Sequence, residues 1–235
     1  MSLLSDISHL LFPRYCPVCN SKLAPAEQYV CTTCLSMLPR TGFGEPTNNA
    51  LAQRFYEWES FVKGVGWLYY QHGNAYSQLI RQAKYDDLPA TARYLARCAA
   101  TEMATTEACS DFFSDIDCLV PVPLSRQRER QRGYNQSLFI AQGLADITGI
   151  AITRGCLLRT IHNKTQTRLG REERRKNVEG IFSVRHPERL QGKHVLLIDD
   201  VMTTGATLAS CIRTLQDVMP DIRVSVFVLA CARRP

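Results

Sequence analysis

No stretch of the chain stays apolar over the roughly 20 positions that a membrane-spanning helix needs. Its first residues, M-S-L-L-S-D-I-S-H-L-L, have neither the basic start nor the unbroken apolar stretch of a secretory signal, so a cytoplasmic chain without membrane insertion is expected. There is no G-x-x-x-x-G-K-[ST] loop. The lone Gly192-Lys193 is followed by His194, which removes the ATPase reading of an apolar run that ends in acids. Tight cysteine pairing is scarce as well. Of 10 cysteines only Cys16, Cys19, Cys31 and Cys34 fall in C-x-x-C pairs, and others such as Cys118 and Cys231 sit singly in apolar surroundings. That distribution speaks for metal binding rather than a disulfide framework.

What is present centres on Val195 to Leu208, V-L-L-I-D-D-V-M-T-T-G-A-T-L. Four apolar residues in succession suit a short strand buried on both faces, as in a parallel sheet covered by helices, with Asp199 and Asp200 marking its carboxyl end. Thr203, Thr204, Gly205, Ala206 and Thr207 then make a small-residue turn into a helix predicted over Ala206 to Val218, whose Leu208, Cys211, Ile212 and Leu215 share a face. A hydroxyl-rich turn at a helix start is an anion site. Two carboxylates beside it would repel the anion, so they are aimed at something else: sugar hydroxyls or a divalent cation. Ribose 5-phosphate satisfies both halves. The stretch resembles the PRPP-binding motif of the type I phosphoribosyltransferases. A buried strand with a polar end, the plain alternative, leaves three threonines and a glycine within five residues unexplained.

Before this stretch the chain reads as a small unit and a linker. Leu3, Leu4, Ile7, Leu10 and Leu11 predict a short amphipathic helix over Ser5 to Leu11. The two C-x-x-C pairs, separated by eleven residues, have the spacing of a four-thiolate structural zinc ribbon; a redox dithiol would need only one of them. Pro39 to Asn49, with two glycines and two prolines, predicts a linker. The expected division is 1–45, helix and zinc ribbon, and 46–235, an α/β domain.

In that second part, strands are predicted over Val65–Tyr70, Ile116–Val120, Ile150–Leu158 and Ile222–Leu229, and helices through Tyr76, Leu79, Ile80 and Ala83 to near Lys84-Tyr85, from Leu88 to Thr105 and from about Asn135 to Ile147. From Pro121 to Leu190 there are 14 Lys and Arg against 6 Asp and Glu, a local excess of 8 in a chain whose net charge is +6. A zone of that kind wants phosphate, whether pyrophosphate, nucleotide or nucleic acid. Val122, Pro123, Leu124, Ser125 and Arg126 follow a strand, and a loop there opens on the same sheet edge as Asp199, so pyrophosphate is its expected tenant; a solvated arginine run is the alternative. Arg159 to Lys176 is a long polar segment of the sort that forms functional lids.

The paired cysteines, P-V-P-L with R-G-Y-N-Q, the spread Arg159, Arg168, Arg171, the R-x-N-V-x-G-x-F segment from Arg175 to Phe182 and the D-D-V-M-T-T-G-A-T loop occur in that order. Along nearly its whole length the chain resembles the ComF family of competence-associated proteins. The resemblance implies a type I phosphoribosyltransferase fold, a parallel sheet with flanking helices, behind a zinc ribbon. It implies a role in uptake of single-stranded DNA beside a helicase partner. It also likens Arg159 to Val178 to the flexible loop of amidophosphoribosyltransferases, placing Lys164, Arg168 and Arg171 over PRPP as catalytic cations. Structural Zn2+ and PRPP-bound Mg2+ are the cofactors expected. Two readings follow: a phosphoribosyltransferase acting on a nitrogen nucleophile, and a non-catalytic adaptor that binds PRPP, a nucleotide or single-stranded DNA. No base-specificity segment is recognisable, which leaves the acceptor open.

Overall fold

The computed structural model describes residues 13–71, 73, 75–77, 79–80, 89–160 and 181–232. Its frame is a four-stranded sheet of β1 (Phe61–Tyr70), β2 (Cys118–Pro121), β5 (His194–Met202) and β6 (Arg223–Ala232), all pairs parallel, in the order β1-β6-β5-β2. A separate antiparallel pair, β3 (Leu157–Arg159) and β4 (Phe182–Val184), forms a hairpin.

The two central strands read as continuous apolar runs because both faces are covered. Their period of two divides them. Leu196, Ile198, Phe227 and Leu229 join one buried cluster, whereas Val195, Leu197, Val224, Val226 and Val228 join the other. The first face is covered by α2 (Pro89–Thr105) and α4 (Gln136–Thr148), through Leu95, Ala99 and Met103 on one helix and Ile140, Ala141 and Leu144 on the other. The second is covered by α5 (Ala206–Val218), through Leu208, Cys211, Ile212 and Leu215, and by Leu157 and Phe182 of the hairpin.

Two strand expectations need correction. The predicted strand at Ile150–Leu158 does not form as one element: Ile152 makes a single bridge to Leu119, Gly155 turns the chain at φ +76, and only Leu157–Arg159 is extended, paired to β4. Nor do the aspartates end β5. Toward β6 the strand continues through Asp199↔Val228 to Met202↔Cys231, while toward β2 pairing stops at Pro121↔Ile198. The acids therefore lie where β5 keeps one neighbour and has lost the other. Sequence reading also passed over α3 (Arg126–Arg132), although Ser125 caps it by accepting from Arg128 N–H and Gly133 closes it at φ +76. The predicted helix at Ser5–Leu11 lies outside the described residues.

Ahead of β1, α1 (Thr32–Ser36) is capped by Cys31, carries Cys34 and leads into residues 39–49. That second segment runs along the β1 edge: Tyr69 N–H donates to Pro39 O at 2.7 Å, Thr41 N–H to Trp67 O at 3.0 Å and Gly64 N–H to Pro46 O at 2.8 Å.

Candidate active site and metal centre

Three stretches distant in sequence meet at the carboxyl edge of β2 and β5. Val122, just past β2, donates its N–H to Ile198 O at 2.9 Å and accepts from Asn135 Nδ2 at 3.0 Å, which fixes the start of the loop 122–125 beside Asp199. Asn135 in turn caps α4, accepting from Ser137 N–H at 3.1 Å. The first turn of α4 thus presents Ser137 Oγ, which donates to Asp199 Oδ1 at 3.1 Å. Asp200 N–H binds that same oxygen at 2.9 Å, and the Asp200 carboxylate accepts from Val201 N–H. Both carboxylates are half-buried and have set orientations.

Past Met202 the chain bends through Thr203 and Thr204, both exposed, into Gly205 at φ +84. This left-handed turn suits glycine, and a Cβ there would also stand 3.4 Å from the Phe55 ring. With glycine as its cap, α5 has no side-chain cap and no acid in its first turn. A helix start of that kind carries partial positive charge and outward N–H groups, an anion site by construction. Arg54 reaches the same turn, its Nη1 donating to Thr203 O at 2.7 Å.

Of the residues expected from sequence, the structure brings Asp199, Asp200 and Thr203–Thr207 to one sheet edge with Val122, Pro123, Leu124 and Ser125. The side chain of Arg126, and Lys164, Arg168 and Arg171 entirely, lie outside the described residues. Sequence reasoning missed Arg54, Phe55 and Ser137. It also missed Gln136, 2% exposed, whose two amide atoms have no partner among the described residues. The R-G-Y-N-Q string, already singled out, contains Gln136 and stops one residue short of Ser137; nothing local marks Arg54 or Phe55.

The four paired cysteines form a separate cluster. Their Sγ atoms all lie within 4.8 Å of one another, and Cys19 and Cys31 are 3.7 Å apart. A tetrahedron with Zn–S bonds of about 2.3 Å has S–S edges of about 3.8 Å. Cys31 N–H points at Cys16 Sγ and Cys34 N–H at Cys31 Sγ, contacts that favour thiolates. Hydrogen bonds from Ser21 bring the Cys19 thiol down to about 6, while burial pushes Cys34 up. Glu27 braces the knuckle, accepting from Ala24 N–H and from both N–H and hydroxyl of Thr32. Four sulfurs so arranged suit a metal, and the all-thiolate donor set favours zinc.

Comparison with known proteins agrees with this geometry. The Phosphoribosyl transferase domain family matches residues 126–235, just under half of the chain and the part that carries β5, its acids and the turn after them. This defines the class: an α/β protein with a phosphoribosyltransferase-like domain. Over 211 residues the chain is 29% identical to DNA utilization protein YhgH of Salmonella typhi, covering 85% of this chain and 89% of that one. Competence protein F of Haemophilus influenzae is 36% identical over 93 residues, 39% of this chain and 41% of that one. Competence protein ComFC of Bacillus subtilis is 35% identical over 111 residues, 47% and 43% of the two chains. The chain is thus similar to competence and DNA utilization proteins, and it carries a phosphoribosyltransferase-like domain and an N-terminal four-cysteine cluster. Among solved structures, glutamine phosphoribosylpyrophosphate amidotransferase from B. subtilis aligns at TM-score 0.41 and 18% identity, over 64% of this chain and 30% of that one.

Proposed function

We propose that this protein binds PRPP with Mg2+ at the carboxyl edge of β2 and β5 and transfers the phosphoribosyl group to a nitrogen nucleophile, in the cytoplasm and in the service of DNA uptake or utilization. The supporting observation is the meeting, at one edge, of an oriented carboxylate pair and an acid-free helix start. Asp199 and Asp200 take the ribose 2′- and 3′-hydroxyls. Thr203 to Thr207 take the 5′-phosphate, and Val122 to Arg126 the diphosphate. In the transfer, the bond from the ribose anomeric carbon to the diphosphate oxygen breaks with its electron pair leaving on pyrophosphate. A bond to nitrogen forms, and the nitrogen gives up a proton. Asp199 and Asp200 would hold a Mg2+ that comes with PRPP, and its charge would offset that on the departing group. Lys164, Arg168 and Arg171 would add cationic stabilisation there and exclude water on closure. Zn2+ at Cys16, Cys19, Cys31 and Cys34 would crosslink the N-terminal unit, residues 1–45, and take no part in the chemistry.

Asp200→Asn tests the reading, because an asparagine oxygen still accepts from Val201 N–H while the charge is gone. PRPP with Mg2+ at a hundredfold excess over its dissociation constant stabilises a native state by about 2.7 kcal/mol, which for a chain of this size raises the thermal midpoint by about 5–10 °C. Wild type is expected to show that shift, and Asp200→Asn to keep its unliganded midpoint and lose most of the shift. A wild type indifferent to PRPP but bound by single-stranded DNA, with affinity falling steeply with salt, establishes the adaptor instead.

A further inference from the structure

Arg159 is the last residue of β3, paired across the hairpin to Phe182 on β4. Beyond it, Thr160 closes the described part of the hairpin, with N–H and hydroxyl both donating to Ile181 O at 2.8 and 3.1 Å. The arginine is therefore mounted on a clamped strand. Its guanidinium carbon stands 5.5 Å from the centroid of the buried Phe182 ring, a cation–π distance that fixes where the charge sits. The Nε is sealed from solvent and has no hydrogen-bond partner among the described residues. Burial, together with the Arg128 guanidinium, pushes the Arg159 pKa down against the pull of Asp199. A half-buried cation with no carboxylate partner among the described residues is costly. An arriving anion would offset that cost.

The place for that anion is adjacent. Arg159 and Thr160 line a cleft of about 870 Å³ together with Ser125, Gln127, Arg130 and one acid, Glu129. Pro123 and Leu124 of the loop after β2, the region assigned above to diphosphate, line it too, and Asp199 is close enough for its charge to be felt at Arg159. We infer that Arg159, stacked on Phe182, is a diphosphate-binding residue that takes the pyrophosphate end of a PRPP-type ligand in the cleft between β3 and α3. This rests on the phosphoribosyl-binding reading and adds a cation built into the folded hairpin, ahead of the segment 161–180. The plain alternative is an arginine that only braces its own hairpin.

Calorimetric titration of the full chain with two fragments of the ligand, inorganic pyrophosphate with Mg2+ and ribose 5-phosphate, separates these outcomes. Arg159→Gln is expected to weaken pyrophosphate binding about tenfold, the weight of a charge-assisted hydrogen bond, and ribose 5-phosphate by less than twofold. Arg159→Lys keeps the charge and loses the planar fork, so it should weaken pyrophosphate about threefold, and it decides the matter if the glutamine variant does not fold. Equal weakening for both fragments, or none for pyrophosphate, overturns the inference. If wild type binds ribose 5-phosphate but not pyrophosphate, the inference alone falls. Binding of neither fragment removes the phosphoribosyl reading, and this assignment with it.

Discussion

His194 opens β5, at the end of the sheet opposite to the carboxylate pair, and is 1% exposed. Its Nδ1 lies 3.1 Å from Asp115 Oδ2 and its Nε2 2.7 Å from Ser225 Oγ. A neutral ring protonated at Nδ1 satisfies both contacts, donating to the carboxylate and accepting from the hydroxyl. Burial lowers the His194 pKa, with Asp115 opposing and Arg223 and Lys63 reinforcing; those two cations already hold Asp115, at 2.7 and 2.6 Å. Burial works against ionisation of Asp115, yet Lys63, His194 and Arg223 together bring its carboxyl down to about 2. The signs follow. Below about pH 6.5 the unfolded chain takes up a proton that native His194 refuses, so stability falls as pH drops through that value and levels off only below the folded pKa. Asp115 acts in the same direction much lower, between about pH 4 and 2. Wild type should therefore lose thermal midpoint from about pH 7.5 to 5.5, and His194→Gln should show a shallower slope there even with a lower midpoint throughout. Equal slopes in a midpoint-versus-pH series would show that His194 does not carry the effect.

Among the elements, α4 has the narrowest tolerance. A Cβ at Gly143 would meet Arg93 O of α2 at 2.2 Å and Ala96 Cβ at 2.7 Å, so the two helices touch backbone to backbone. Across the same crossing Arg93 makes a two-pronged ion pair with Asp146 at 2.7 and 2.8 Å, but this pair is largely exposed and worth little. Packing outweighs charge here. Gly143→Ala should cost about 1–3 kcal/mol by overpacking, against under about 1 kcal/mol for Arg93→Ala, as read from denaturant midpoints. Because α4 also presents Ser137 to Asp199, the glycine variant should lose part of its PRPP response, whereas the arginine variant should not. How far the elements could be read beforehand depends on where their causes lie. The turn from Thr203 to Thr207 and the helix behind it are dictated locally, by glycine, small hydroxyls and an apolar stripe, and α5 begins and ends where the pattern placed it. The carboxyl end of β5 depends on β6, whose pairing leaves no trace in periodicity, and the hairpin was hidden inside an apolar stretch that Gly155 divides. Arg54 and Ser137 reach the site from 149 and 62 residues away in sequence, a distance no local pattern spans.

For the molecule as a whole, the open question is how tightly the cysteine unit is joined to the sheet. The C-x-x-C spacing identified the four ligands without indicating what they rest on, since docking is made by residues of no special spacing. Arg40 is the joint. Its Nη1 donates to Leu35 O in α1 and to Leu38 O just after it, its Nε binds Glu102 of α2 at 2.9 Å, and its guanidinium lies 5.4 Å over the Trp67 ring of β1. Trp67 Nε1 completes the triangle on Glu102 at 3.1 Å, and Tyr29 packs on Tyr94 with ring centroids 5.4 Å apart. Cys16, Cys31 and Cys34 belong to the same buried cluster as Trp67, Leu95 and Phe227, so nothing separates the small unit's core from the core of the sheet. A unit of this size has too little apolar interior to hold together without its ion. Cys31→Ser removes one ligand and the sulfur that accepts from Cys34 N–H, so it should lose close to one equivalent of zinc. Through Arg40 the loss should spread. Calorimetry is expected to show one transition in wild type and one, at lower temperature, in the variant, with EDTA-treated wild type resembling the variant. Two separated transitions, the later one at the wild-type temperature, would show instead that the division near residue 45 is a true break and that the sheet stands without its metal unit.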